Sequence, residues 1–494
     1  MAGGCSCYTR PPMDILFVAS ELAPLVKVGG LADVVAALSK ALRLLGHRVT
    51  IAMPRFAAFE AAGVMVARRL TPIELPGAGE RVQVTLFDGR LGSGVELLLL
   101  DIPELFDRPG VYGDEEGDYA DNARRFGLFS RAVLEVVRQR QIAGSPFDVV
   151  HAHDWAAAAV PYLMKNAGGL PLSTKSVLTI HNLAHQGVFP KDSLRYLGLA
   201  EDHYRMDRLE FYGEVNFLKG GILAADALTT VSNTYAREIL TPEHGERLDG
   251  VLRTRAANLS GIVNGIDYAV WNPMTDPALI ARYDAEDTSN KGRCKSALLQ
   301  ELGLEVQPER PLIVSVGRVV SQKGSDLLAA ALPKILKNDV AVAIAGAGDP
   351  ALMSKLRAAV AKVPERAAYV GFAPEALVHR MLAGADLVVV PSRFEPCGLV
   401  QLYAQRYGAA PIACRTGGLV DTIVDLDAAL ETGTGFLFDK PTATALLGGV
   451  QRAIAGMASP RWPAVRRRLM RLDLGWDKPA RRYAHIYRSI LGGS

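Results

Sequence analysis

Ile15-Leu16-Phe17-Val18-Ala19, then Gly29-Gly30, then apolar residues at Leu31, Val34, Val35, Leu38 and Leu42: this opening stretch decides the fold. A short continuous apolar run reads as a strand buried on both faces, and spacing of three and four reads as one face of a helix. The glycine pair between them marks a strand-to-helix turn. A second strand at 49–53 follows Gly46, and strand-like runs recur at 82–87, 95–100, 149–151, 177–180 and 228–231. Helical stretches such as 122–140 and 156–165 lie between them. Alternation of this kind predicts an α/β architecture built on a parallel, doubly wound sheet.

The rhythm stops at a bridging region near 260–273 and then restarts. The run 312–316 is followed by a glycine-bearing turn and a helix from about Ser325, and further runs lie at 340–345, 369–371, 387–390 and 411–413. At 494 residues the chain exceeds what one core organises, so two domains are expected, 13–260 and 261–474. A ligand cleft is expected at the strand C-termini between them. Tyr483, Ile486, Tyr487, Ile490 and Leu491 form one helical stripe in a last helix, 475–494.

Bulk properties exclude several classes. A net charge of +3 with scattered basic residues offers no nucleic-acid footprint, and the run at Arg466, Arg467 and Arg468 reads as a solvated helix face. No apolar run approaches the ~20 residues that span a bilayer, so no membrane partner is expected. The five cysteines (Cys5, Cys7, Cys294, Cys397 and Cys414) are odd in number and lack paired C-x-x-C spacing, which suits a reduced, cytoplasmic setting. No export signal precedes Cys5, and residues 1–12 read as a disordered leader before Met13.

The chemistry sits in the turns after strands. Lys27-Val28-Gly29-Gly30-Leu31-Ala32-Asp33 places a cation and glycines where backbone N–H groups favour an anion, although an ordinary tight turn has the same look. Gly317-Arg318-Val319-Val320-Ser321-Gln322-Lys323-Gly324 occupies the equivalent turn of the second half, and two cations five positions apart can converge on one phosphate. A diphosphate leaving group calls for that arrangement, because its charge grows as the sugar bond breaks. In Pro391-Ser392-Arg393-Phe394-Glu395-Pro396-Cys397-Gly398-Leu399, Glu395 is placed to accept from sugar hydroxyls, and the amides of Cys397, Gly398 and Leu399 open a helix. Thr416-Gly417-Gly418 is a further glycine turn after the next strand. His151, His153 and Asp154 end one strand and His181 ends another. Zinc would need more ligands, so no metal is expected: Asp154 reads as a cleft residue, His151 as structural, and His181 as a second cleft residue or a structural histidine. Asp425-Leu426-Asp427 has the D-x-D spacing of metal-dependent sugar transferases, but so short a motif recurs by chance.

Taken together, the stretches 27–33, 151–155 (HAHDW), 181–187 (HNLAHQG), Asn264-Gly265-Ile266-Asp267, 318–324, 393–399 and 416–418 resemble the bacterial glycogen synthase and plant starch synthase family along nearly the whole chain from Met13. The resemblance implies a GT-B fold of two Rossmann-like domains. It also implies ADP-glucose as donor, an α-1,4-glucan such as glycogen as acceptor, retention of configuration, and no cofactor. By the same resemblance Arg318 and Lys323 hold the diphosphate and Glu395 contacts the donor glucose. Lys27 and the Gly29-Gly30 turn meet the donor phosphates, with Asp33 in the same motif and Asn264 in a further matching one, both among the substrate-binding residues. His181 lies beside the anomeric centre and Asp154 near the acceptor. Thr416, Gly417 and Gly418 cradle the distal phosphate, Phe372 stacks on adenine, and the last helix crosses back to the N-terminal domain. Val28, Ala156 and His185 depart from the family's usual threonine, histidine and tyrosine. Ala156 thereby removes a polar side chain near the acceptor path. The rivals are another GT-B transferase using UDP-glucose or a small acceptor, a nicotinamide-dependent dehydrogenase, and a non-catalytic glucan-binding protein. The dehydrogenase suffers from the missing G-x-G-x-x-G in the first turn. No motif specifies an oligomeric state.

Overall fold

Leu312 and Val314 enter one hydrophobic cluster while Ile313 enters another, and Val342 and Ile344 alternate in the same way with Ala341, Ala343 and Ala345. Strands whose odd and even residues are both buried must lie in a sheet covered on two faces, and each Leu, Ile or Val so buried contributes about 1.5–3 kcal/mol. The computed structural model describes residues 11–76, 81–115, 117–169 and 171–492. The leader expected at 1–12, with Cys5 and Cys7, falls almost wholly outside the described residues.

The chain divides into two units. One comprises the residues up to Thr230, Ala236–Ile262 and the residues from Asp477 onward; the other comprises Val231–Tyr235 and Val263–Trp476. They are called the N-terminal and C-terminal units below.

In the N-terminal unit a ten-stranded sheet runs through Leu259–Gly261, Ala227–Thr230, Lys175–Ile180, Val149–His153, Asp14–Val18, Arg48–Pro54 and Glu96–Asp101, all parallel. It ends in antiparallel strands at Arg81–Arg90, Val66–Arg68 and Ile73–Pro76. The expected strand at 82–87 is therefore present, but it pairs as a hairpin partner with half-exposed alternation, not as a buried parallel strand. Leu259–Gly261, read from sequence as part of a bridge, adds a three-residue edge strand.

The C-terminal unit carries six parallel strands in the order Ala367–Val370, Ala341–Ala345, Leu312–Val316, Leu387–Val390, Ala410–Cys414 and Phe436–Phe438. Each sheet has one point where the winding direction reverses. It lies between Asp14–Val18 and Val149–His153 in the first unit, and between Leu312–Val316 and Leu387–Val390 in the second. Doubly wound sheets bind ligands beyond the carboxyl ends of strands at such a point.

The last helix, Asp477–Ile490, belongs to the N-terminal unit. Its buried face is Ala480, Tyr483, Ala484 and Tyr487, narrower than the sequence stripe suggested, and Leu491 is exposed. Tyr487 Oη lies 2.7 Å from His151 Nδ1, and Arg482 donates to the Gly261 carbonyl at 2.9 Å. No helix among the described residues is long and apolar enough to cross a membrane.

Candidate active site

In the C-terminal unit the two loops flanking the reversal point are fastened to each other. Gly324, at φ +69°, holds a left-handed conformation, and a Cβ there would stand 2.0 Å from the Pro391 carbonyl. Only glycine permits both demands. Arg393 completes the clamp: its guanidinium makes two 2.6 Å bonds to Asp326 and one to the Ser321 carbonyl, while its N–H donates to the Gln322 carbonyl. Sequence reasoning quoted Arg393 in its motif but gave it no role, because its partner lies 67 residues away.

The clamped loops enclose a cavity of about 80 Å³ lined by Gly317, Arg318, Lys323, Ser392, Glu395 and Gly398 among others. Lys323 Nζ donates to Glu395 Oε2 at 2.6 Å, and Ser392 Oγ donates to the same oxygen at 2.9 Å. Glu395 is buried, and its Oε1 accepts no bond among the described residues. Arg318 is exposed and forms no ion pair among the described residues. The expected trio of Arg318, Lys323 and Glu395 thus lines one cavity, with an ion pair inside it that the sequence did not reveal.

The turn 416–418 packs directly on this loop. The Gly418 N–H donates to the Glu395 carbonyl at 3.0 Å, and a Cβ at Gly418 would stand 2.3 Å from the Cys397 carbonyl. Gly398 sits at φ +73° and Gly417 at +45°, so the turn geometry accounts for these glycines. Thr416 Oγ1 and Asn264 Oδ1 are buried without a hydrogen-bond partner among the described residues. Burial pushes the Cys397 thiol up to about 12, against the opposing effect of the Asn264 N–H bonded to it. A protonated thiol with that environment packs as an apolar group and does not attack. Leu399 is half-buried, whereas Phe372 is 81% exposed on the loop after Ala367–Val370.

In the N-terminal unit the first turn holds a surprise. The N–H groups of Val28 and Gly29 both donate to Glu21 Oε2 at 2.8 Å, and Tyr112 Oη donates to Glu21 Oε1 at 2.9 Å. The Gly29 amide offered to a phosphate on sequence grounds is therefore already used. Lys27 is paired with Asp33 at 2.8 Å. Burial raises the Glu21 carboxyl, and the two backbone bonds and the tyrosine oppose that rise. Glu21 was not singled out from sequence; its place at the C-terminal end of the first strand was the available signal.

Asp154 and His181 come together. Asp154, at φ +57°, accepts from the His181 N–H at 2.7 Å, and burial pushes its carboxyl up to about 7. Burial likewise pushes His181 down to about 3, so its ring is neutral near pH 7. His153 Nδ1 faces His181 Nε2 at 3.0 Å. His151 is satisfied at both nitrogens by Thr179 and Tyr487, in keeping with a structural role. Ala156 is 1% exposed, so the departure at this position lies in the helix core and not at a surface. Trp155 packs against Tyr112, Phe126 and Phe189, and a Cβ at Gly187 would stand 2.5 Å from its ring, which accounts for the glycine that closes HNLAHQG.

Among the described residues no cluster of three or more His, Cys, Asp or Glu side chains could hold a metal ion. The two aspartates of the D-x-D tripeptide serve local structure. Asp425 accepts from Arg452 and the Leu437 N–H, and Asp427 accepts from Thr432 and the Glu431 N–H.

The starch synthase catalytic domain matches residues 14–254, and glycosyl transferases group 1 matches residues 303–461. The chain is similar to glycogen synthase 2 of Geobacter metallireducens, with 43% identity over 482 residues that cover 97% of this chain and 99% of the relative. Glycogen synthase of Anaeromyxobacter sp. (strain Fw109-5) is 45% identical over 486 residues, covering 97% and 99%. Among solved structures, the catalytic domain of starch synthase IV from Arabidopsis thaliana bound to ADP and acarbose aligns with a TM-score of 0.90 at 32% identity, covering 98% of this chain and 100% of that one. Sucrose-phosphate synthase from Thermosynechococcus elongatus, at 19% identity and a TM-score of 0.61, shares the GT-B fold.

Proposed function

Since this chain belongs to the glycogen synthase and starch synthase family, we propose that it transfers glucose from ADP-glucose to the non-reducing end of an α-1,4-glucan with retention of configuration. The observation that carries the assignment is the cavity at the reversal point of the C-terminal sheet, where Arg318, Lys323 and Glu395 converge.

Arg318 and Lys323 neutralise the diphosphate, whose charge increases as the bond from the glucose anomeric carbon to the phosphate oxygen breaks. Glu395 holds Lys323 through Oε2 and offers Oε1 to a sugar hydroxyl. The buried oxygens of Thr416 and Asn264 support binding roles for both residues, because an unpaired buried polar atom costs about 1–3 kcal/mol and is retained where a ligand completes it. Thr416, Gly417 and Gly418 take the distal phosphate. Gly398, with the amides of Cys397 and Leu399, lines the same turn. Phe372, exposed at the end of its strand, stacks on the adenine.

From the N-terminal unit, Lys27 and Gly30 are assigned to the donor phosphates, with Asp33 paired to Lys27 and the Gly29 amide held by Glu21; His181 is assigned to the anomeric centre and Asp154 to the acceptor side. The acceptor's 4-hydroxyl oxygen bonds to the anomeric carbon on the face from which ADP departs, and its proton passes to the departing phosphate oxygen. No separate strong base is required, and the cations and amides of the C-terminal cavity suit that chemistry better than a glycosidase-type carboxylate pair does. The protein is assigned to the cytoplasm.

The test is transfer of radiolabelled glucose to glycogen from ADP-glucose and UDP-glucose in parallel, each with and without a chelator. Chelator-insensitive incorporation into polymer from ADP-glucose is expected. Preference for UDP-glucose, or label in a disaccharide, would overturn the donor or acceptor assignment.

A further inference from the structure

Three imidazoles stand in a row in the N-terminal unit. His181 Nε2 meets His153 Nδ1 at 3.0 Å, and the His153 ring lies 4.1 Å, centroid to centroid, from that of His151. His151 is bonded at both nitrogens, to Thr179 Oγ1 at 2.6 Å and to Tyr487 Oη at 2.7 Å. His153 is not. It is fully buried, its Nε2 has no hydrogen-bond partner among the described residues, and the Phe17 ring packs 4.9 Å from its own. His181 is the half-exposed member, and its Nδ1 makes no hydrogen bond among the described residues.

Burial keeps all three rings neutral, so each carries a single N–H. One proton lies between His153 and His181, because two lone pairs facing at that distance repel. If His181 supplied it from Nε2, His153 would carry its own proton on Nε2, as a buried N–H with no acceptor. If His153 supplies it from Nδ1, the nitrogen left without a partner is a bare lone pair. Buried N–H groups without an acceptor are the rarer and costlier defect.

We infer that His153 donates its Nδ1–H to His181 Nε2 and thereby fixes His181 as the Nδ1-protonated tautomer, a hydrogen-bond donor toward a sugar oxygen and not a base. The inference rests on the placement of His181 at the reacting centre given above. His153 touches no substrate; it is a positioning residue that sets what its neighbour can do. With Nδ1 of His181 already protonated, the proton of the acceptor hydroxyl cannot go there, which leaves the departing phosphate oxygen to receive it. Asp154 holds the backbone of His181 while His153 holds its ring, so two adjacent residues at one strand end control both.

The direct test is long-range proton–nitrogen NMR on the full chain labelled with ¹⁵N-histidine, with His181 assigned by its loss in His181→Gln. The expected spectrum shows His181 protonated at Nδ1. Protonation at Nε2 of His181 in the wild-type protein would overturn the assignment whatever the activity. His153→Phe keeps the ring volume beside His151 and Phe17 but removes the donor. In that variant His181 should populate both tautomers, and kcat should fall about fivefold to tenfold, the worth of one neutral hydrogen bond, with the KM for ADP-glucose unchanged. A single unchanged tautomer in His153→Phe also counts against the inference. If His153→Phe does not fold, the wild-type spectrum still decides. If His181→Gln retains full activity while the wild type shows Nδ1–H, the placement of His181 at the reacting centre fails and the tautomer assignment stands.

Discussion

Replacing Lys323 by alanine separates charge compensation from stability at the donor site. The ammonium lies 2.6 Å from Glu395 Oε2, with 29% of the lysine side chain and 7% of the glutamate side chain exposed. Truncation leaves a nearly buried carboxylate with the Ser392 hydroxyl as its remaining partner. Breaking a buried pair from one side costs about 3–5 kcal/mol, whereas an exposed pair is worth about 0–1 kcal/mol. With the lysine close to a third exposed, a loss of about 1–3 kcal/mol lies between those limits. The catalytic loss is separate: removing one preorganised group aimed at developing charge costs about 3–4 kcal/mol, a fall in kcat of about 10²–10³. Adding Glu395→Gln to Lys323→Ala removes the orphaned charge, so the double variant should regain most of the stability and none of the turnover. The assay pairs kcat and KM for ADP-glucose, on glycogen, with the urea midpoint of each variant. If turnover returned with stability in the double variant, or if Lys323→Ala kept kcat within about twofold, the charge argument would be refuted.

Arg318→Ala should leave the unfolding free energy from urea titration within about 0.5 kcal/mol of wild type, since the side chain is exposed and unpaired among the described residues, while kcat/KM falls about a hundredfold. Asp154, with its carboxyl raised to about 7 by burial, binds a proton more tightly folded than unfolded; its contribution is therefore full below the unfolded value near 3.8 and is lost as pH rises toward 7. Asp154→Asn should abolish that decline, seen as a flatter plot of urea midpoint against pH between about 4 and 7. Tyr487→Phe removes the hydroxyl from His151 Nδ1 and should cost about 1–3 kcal/mol in chemical denaturation, while Tyr487→Leu, which also disturbs the ring packing, should cost more.

The sequence exposes those parts of this fold that depend on neighbours in sequence. Runs such as 15–19, 312–316 and 387–390 are legible because a strand buried on both faces must be apolar throughout. The glycine turns after them are legible because φ and close backbone approach restrict the residue type. What escapes is set by distant partners. The direction of Arg81–Arg90 depends on its pairing with Glu96–Asp101, and the edge strand Leu259–Gly261 is too short to carry periodicity. Glu21 gains its role from Tyr112, 91 residues away, and His153 from His181, 28 residues away. Neither distance leaves a local pattern. The motif at 27–33 shows the converse: its residues are legible, but the Gly29 amide is spent on Glu21.

The return of the last helix to the unit formed by the first residues has a consequence for biosynthesis. As the chain leaves the ribosome, the strand Val149–His153 emerges early, yet Tyr483 and Tyr487, which pack on its His151, are translated only after the whole C-terminal unit. The first-made half therefore carries an unfinished apolar surface throughout synthesis of the second, a state that holding chaperones recognise. A premature stop or frameshift late in the reading frame would injure the oldest part of the nascent protein as surely as the newest.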